Sequence, residues 1–195
     1  MKKLVSRIAC AALLTSGVAI TSANATTVNL APIYGSPNAS SQSFGAASNA
    51  IDNNLDTANN FFESGTEVHP QWYVDLGKDF ILNSLSIYQR TSEAARMLND
   101  FTVTVFNHAG AAVFSALYAP NPGDFVSTPF NIVFASTITG ETVQIILQNR
   151  NADNLALTEV QVFGQVPEPA SLALLGVGLV GVTAMRRRFA ANSAA

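Results

Sequence analysis

The chain has 195 residues, 48% of them hydrophobic and 12% charged, which leaves room for one folded domain and excludes a chain that is disordered throughout. Residues 26 to 165 hold twelve acidic side chains against four basic ones (Lys78, Arg90, Arg96 and Arg150), a balance of −8 that excludes nucleic acid as a partner, because backbone phosphates demand a basic surface. The same excess of carboxylates suits a hard, oxygen-preferring cation such as calcium, and it serves solubility equally well.

In chain order, the first element is a secretory leader. Lys2, Lys3 and Arg7 form a positive start, Ile8 to Ile20 an apolar stretch, and Ala23-Asn24-Ala25 the small-x-small pattern of a leader-peptidase site, so residues 1–25 read as a signal peptide cleaved after Ala25. The single cysteine, Cys10, falls inside it. The exported body is therefore expected to lack disulfides, cysteine nucleophiles and cysteine-bound zinc.

Residues 26 to 48, rich in Ser, Ala, Asn and Gly, read as an extended lead-in with one edge strand around Val28 to Leu30. Residues 49 to 71 are polar and turn-forming, a length of loop that in a compact domain is usually functional or pinned by a metal. Strands are expected at Trp72 to Leu76, Ser84 to Ile87, Phe101 to Val105, Ala111 to Tyr118, Phe125 to Phe134, Val143 to Gln148 and Leu157 to Phe163, where β-branched residues are frequent and polarity alternates or nearly so. Asn107-His108-Ala109-Gly110 reads as a hairpin connection. About seven short strands at this spacing predict an all-β, antiparallel sandwich over residues 26–165.

The last element, residues 166–195, opens with Val166-Pro167-Glu168-Pro169, continues as an apolar run from Ala170 to Met185 and stops at Arg186, Arg187 and Arg188. As a helix the run spans about 24 Å, slightly short of the roughly 30 Å hydrocarbon core, and the arginines place the body outside the cytoplasm. Pro-Glu-Pro, a short apolar segment and an arginine cluster, in that order, closely resemble the PEP-CTERM sorting signal of Gram-negative bacteria that make exopolysaccharide. The resemblance implies processing by an exosortase-type enzyme and a protein that is periplasmic, on the cell surface or secreted after transient anchoring in the inner membrane. A plain tail anchor predicts the same topology.

The body carries a second resemblance. Ser48-Asn49-Ala50-Ile51-Asp52-Asn53-Asn54-Leu55-Asp56-Thr57, then Gln71-Trp72-Tyr73-Val74-Asp75-Leu76-Gly77, then the stretch from Arg90 to Val105, and finally Leu157-Thr158-Glu159-Val160-Gln161-Val162-Phe163-Gly164 resemble, in order, the motifs of the discoidin, or coagulation factor 5/8 type C, family. The fold this implies is a galactose-binding-like jelly roll whose first and last strands lie near one another. Carbohydrate-binding members of the family often hold a structural calcium. Carried over by position, its ligands are the carbonyls of Asn49, Asn54 and Thr158 and the side chains of Asp52 and Glu159, with Ser64 or Thr66 adding an oxygen. The family's usual glycine at the loop is Asn53 here, the next-best residue for a positive φ. Without the resemblance, Asp52 reads equally well as the cap of its own turn and Glu159 as an exposed strand residue.

Fucose-binding lectins of the superfamily grip sugar hydroxyls with two arginines and a histidine, because a guanidinium offers fixed donors that reach two oxygens at once. The matching positions are Arg90, Arg96 and His69. Five residues separate the two arginines, one fewer than in those lectins, and their cysteine pair is absent. On the residues alone, Arg90 and Arg96 serve as well as partners of Glu93 or Asp100 on a solvated loop, His69 as an exposed loop residue, and Trp72 as core.

Catalytic patterns are missing: there is no G-x-S-x-G, no H-E-x-x-H and no phosphate-binding glycine loop, and the two histidines sit in loop contexts. The expected function is a non-catalytic carbohydrate-binding module that takes extracellular polysaccharide. The alternative is a structural biofilm or matrix protein without a defined small ligand.

Overall fold

The computed structural model describes residues 25–56, 58–90, 98, 100–119, 129–148 and 153–166, together with 178 and 182. The leader, Arg96, most of the sorting tail and the Phe125 to Thr128 part of one expected strand lie outside the described residues.

The chain forms β1 (Thr27–Asn29), α1 (Ala31–Tyr34), β2 (Ser36–Ala39), a short 3₁₀ helix (Ala47–Ile51), β3 (Phe62–Glu63), β4 (Gln71–Gln89), β5 (Phe101–Phe106), β6 (Ala112–Tyr118), β7 (Phe130–Leu147) and β8 (Ala156–Gln165). Two pairs of expected strands are each one long bent strand. Trp72 to Leu76 and Ser84 to Ile87 are the two arms of β4, joined at a corner where Gly77 has φ 76 and gives its N–H to Asp75 Oδ1 at 2.7 Å. The pairing of β4 with β7 shifts register between Asp75 and Phe80. Gly140 marks the matching corner of β7. A Cβ there would meet Val105 Cγ1 at 2.4 Å, so only glycine allows the approach.

Each bent strand contributes one arm to each of two layers. The first layer is β2, the early arm of β4, the late arm of β7, β5 and β6. The second is β8 between the late arm of β4 on one side and β1 and β3 on the other, with the early arm of β7 next to β4. All the described pairings are antiparallel, as the alternation predicted. Inward residues of both layers, among them Trp72, Val74, Leu85, Ile87, Phe101, Val103, Ile145, Val160 and Val162, merge into one core.

The lead-in differs from expectation. Beyond β1 it contains α1 and a second strand, β2, because it closes the side of the sandwich: Leu30 and Ala31 are fully buried, and Asn29 Oδ1 accepts the N–H of Val162 at 2.9 Å. The 3₁₀ helix seals the same side. Its Ala47 carbonyl accepts the indole N–H of the buried Trp72 at 3.0 Å, which satisfies the one polar atom that ring brings inside. The expected hairpin stands, with Gly110 at φ 76 donating to Asn107 O at 2.8 Å.

Replacing Trp72 by Ala should therefore cost about 3–5 kcal/mol in urea unfolding, the usual loss for a buried large aromatic. Leu117→Ala, on the edge strand and 64% exposed, should stay within about 0.5 kcal/mol.

Candidate functional site

The first candidate site is built by closure of the chain. Asp52 and Asn53 follow the 3₁₀ helix, which packs on β8, and Glu159 stands on β8 opposite Tyr88 of β4. One residue along, Leu157 pairs with Gln89, so Thr158 is the extra residue of a bulge, a device that re-aims the neighbouring side chain. The Thr158 hydroxyl donates to Gln89 O at 3.1 Å.

Glu159 is fully buried. Its Oε2 accepts the N–H of Asn53 at 3.2 Å, while its Oε1 has no hydrogen-bond partner. Asn53 presents that N–H from a left-handed conformation, φ 62, so the asparagine holds the turn that the family gives to glycine. Asp52, exposed at the same place, caps its own turn through Asn54 N at 2.9 Å and accepts from Asn60 Nδ2 at 2.7 Å. Burial pushes the Glu159 carboxyl up to about 7; the Asn53 N–H pulls the other way, and the negative charge of Asp52 adds to the rise. Asp52 and Glu159, 107 positions apart in sequence, come near enough for the charge of Asp52 to act on Glu159, and Asp52 caps its turn as well.

Not every expected ligand joins them. Ser64 Oγ donates to Gly65 O and accepts from Leu155 N, which places it four positions along the β8 edge from Glu159, about 13 Å at the usual strand rise. Thr66 bonds Asn154. Asn60, which the sequence reading did not single out, stands closer to Asp52 than either. Among the described residues no three His, Cys, Asp or Glu side chains converge, so a cation here would draw on amide and carbonyl oxygens beside the two carboxylates.

The second candidate site lies where β4 and β7 end and β5 and β8 begin. Arg90, directly after β4, pairs through Nη1 with Glu63 Oε2 at 2.8 Å, with side-chain exposures of 14% and 8%. Its guanidinium carbon stands 4.1 Å from the Phe61 ring centre, and Phe44 stacks on Phe61 at 4.6 Å. Phe61 thus touches both the guanidinium and the Phe44 ring. The outer ring, Phe44, is 50% exposed.

His69 comes to the same end. Its Nδ1 lies 3.3 Å from Leu147 O, Gln148 N bonds Asp100 O, and Leu98 N bonds the Gln89 side chain at 2.7 Å, a path leading back to Arg90. The histidine is exposed and adopts φ 56. Trp72 is core, not a stacking face. Glu63, Phe61 and Phe44 were missed by sequence reading; the one signal was an aromatic pair and an acid inside an otherwise polar stretch.

An antiparallel sandwich with bent shared strands, paired termini and this loop end has the galactose-binding-like architecture. The chain belongs to the F5/8 type C domain family, which it matches over residues 36–160, and residues 165–188 match the PEP-CTERM protein-sorting motif, the mark of an exported protein. Among solved structures it is similar to a mutant lectin-binding domain of Lectinolysin complexed with Lewis b (26% identity, 73% of this chain and 100% of that one, TM-score 0.65). It is also similar to a fucolectin from striped bass, Morone saxatilis, serum (26% identity, 73% and 51%, TM-score 0.60). The family 32 carbohydrate-binding module of C. perfringens NanJ, solved with galactose, shares the fold (21% identity, 71% and 99%, TM-score 0.58). No curated protein sequence matches the chain.

The state of Glu159 sets a pH dependence. Its folded value, about 7, lies above the ordinary 4.5, so the stability it contributes is fully present below about pH 4.5 and is lost as pH rises through about 7. In chelator, the melting temperature should fall across that window, and Glu159→Gln should flatten the fall.

Proposed function

We propose that this protein is a non-catalytic, exported carbohydrate-binding module whose ligand is an extracellular polysaccharide and whose sorting tail is inserted in the membrane until an exosortase-type enzyme processes it. The observation that carries the reading is the Arg90 guanidinium, held by Glu63 against Phe61, the ring on which the exposed Phe44 stacks. A sugar offers hydroxyls to a fixed fork of donors and an apolar C–H face to an aromatic ring. Ordering the guanidinium before binding lowers the entropy lost on association. Resemblance to the Lectinolysin domain supports the same reading. His69 joins the proposed site from the loop before β4, and Arg96, which lies outside the described residues, is assigned to it by the sequence resemblance alone.

Phe44 gives the cleaner test, because Arg90→Ala would leave the Glu63 charge buried without this partner and cost stability for that reason alone. On a glycan array, Phe44→Ala should weaken binding about 10-fold, the equivalent of 1.4 kcal/mol, with an unchanged melting temperature. Arg90→Lys should weaken it further. A folded protein that binds no glycan on the array refutes the proposal and favours a structural matrix role.

A structural calcium ion belongs to the proposal. The residues fit it: the buried Glu159 Oε1 lacks a partner, a second carboxylate stands beside it, and hard cations take six to eight oxygens without histidine or cysteine. Asp52 and Glu159 would hold the ion with carbonyls of Asn49, Asn54 and Thr158, and the ion would neutralise the carboxylate pair and tie β8 to the loop after the 3₁₀ helix. A ligand bound only by the native form stabilises by mass action, by about 2.7 kcal/mol at one hundred times its dissociation constant. The melting temperature should rise with millimolar calcium over chelator, and Asp52→Asn should abolish most of the rise. An equal melt with and without calcium refutes the ion.

A further inference from the structure

Both ends of the domain leave the sandwich at the same end, and it is not the end that carries Arg90. Thr27 of β1 pairs with Gln165 of β8, and Gln165 also stands opposite Ile81, just past the corner of β4. From Ile81 to Gln89 the strand advances eight residues, about 26 Å, before it reaches Arg90.

The end where the termini leave carries an apolar surface. Ile33 is 61% exposed, Ile81 43% and Tyr34 37%. The Tyr34 ring lies 4.9 Å from the Phe80 ring, and the Lys78 ammonium sits 5.0 Å from the Phe80 ring centre and 5.8 Å from that of Tyr34. Exposed aliphatics, an amphipathic aromatic and a lysine whose stem lies along apolar surface are the composition of a group that rests in the headgroup layer of a membrane. The acidic groups nearby are engaged: Asp75 accepts the Gly77 N–H at 2.7 Å in the corner of β4, and at the hairpin Asp79 accepts the His108 N–H at 2.8 Å and Glu141 faces the His108 imidazole at 2.9 Å.

Chain length decides what meets this surface. Four residues, Val166 to Pro169, separate Gln165 from the apolar run that begins at Ala170, a reach of at most about 17 Å. With that run in the bilayer, a reading this inference takes from the proposed function, the end with Ile33 and Ile81 cannot stand more than a headgroup layer or so away. We propose that Ile33, Tyr34, Lys78 and Ile81 form a docking surface for the phospholipid headgroup layer, engaged while the sorting tail is inserted. The domain is then held upright with the Arg90 end facing away from the membrane.

The test uses the chain from Thr26 to Ala195, without the leader and so without its single cysteine, reconstituted in phosphatidylethanolamine and phosphatidylglycerol vesicles that contain doxyl-labelled lipid. A polarity-sensitive fluorophore is attached at Ile33→Cys, at Ile81→Cys or, as the far-end control, at Val68→Cys, which is 55% exposed. Quenching at positions 33 and 81 should exceed that at 68 at least threefold, with a blue shift at the first two alone. Chains that float with the vesicles but quench equally at all three positions overturn the docking surface and leave the anchoring reading intact; this is also the result if the surface meets a processing enzyme or a second copy instead of lipid. Chains that do not float overturn the anchoring and the docking surface together.

Discussion

A buried carboxylate on the closing strand is the constraint around which the rest of the molecule is arranged. Glu159 gives up water completely and receives in return the backbone N–H groups of Asn53 and Asp52, while the Asp52 carboxylate nearby adds to the cost of its charge. Burying an ionised carboxylate is tolerated only with compensation, so this position couples the final strand to a loop more than a hundred residues earlier. The same closure brings β1 against the end of β8, seals the side of the core with Leu30 and Ala31, and sends both termini out together.

Bent strands explain how one chain serves two ends with different chemistry. β4 and β7 each turn a corner and lend an arm to both layers, so the corners cluster at one end and the long loops at the other. Loops carry recognition because the scaffold beneath them is rigid, and here Arg90 emerges from β4 directly onto a buried acid and a buried ring. The corner end is spare in loops and holds the exits of the chain. Topology separates the two ends: Arg90 lies at one, and both termini leave the sandwich at the other.

Much of the fold was legible in the sequence. Period-two alternation and turn residues placed the strands at Trp72, Phe101, Ala111, Val143 and Leu157 within a residue or two of where they lie, because a half-buried strand leaves a pattern in its own residues. Continuity was not legible. Nothing local says that the residues from Trp72 to Leu76 and from Ser84 to Ile87 form one bent strand, since a corner with Gly77 and Asp75 reads like any turn. The short β2 and β3 were missed because Ser36-Pro37-Asn38-Ala39 and Phe62-Glu63 are strands through their partners, β4 and β8, and not through propensity.

The sequence by itself determined the sandwich class, the acidic oxygen-rich character of the body, the sorting signal and the identity of the paired carboxylates, since each is written in residue type, order or resemblance. Only the tertiary structure decided which side chains meet. It seated Arg90 on Glu63 and Phe61, uncovered Phe44, set Ser64 apart from Glu159 and put Ile81 beside the exit of the tail. The physical reason is that strand patterns depend on neighbours one or two positions away, whereas desolvation and pairing of a charge depend on groups that the fold brings from far along the chain.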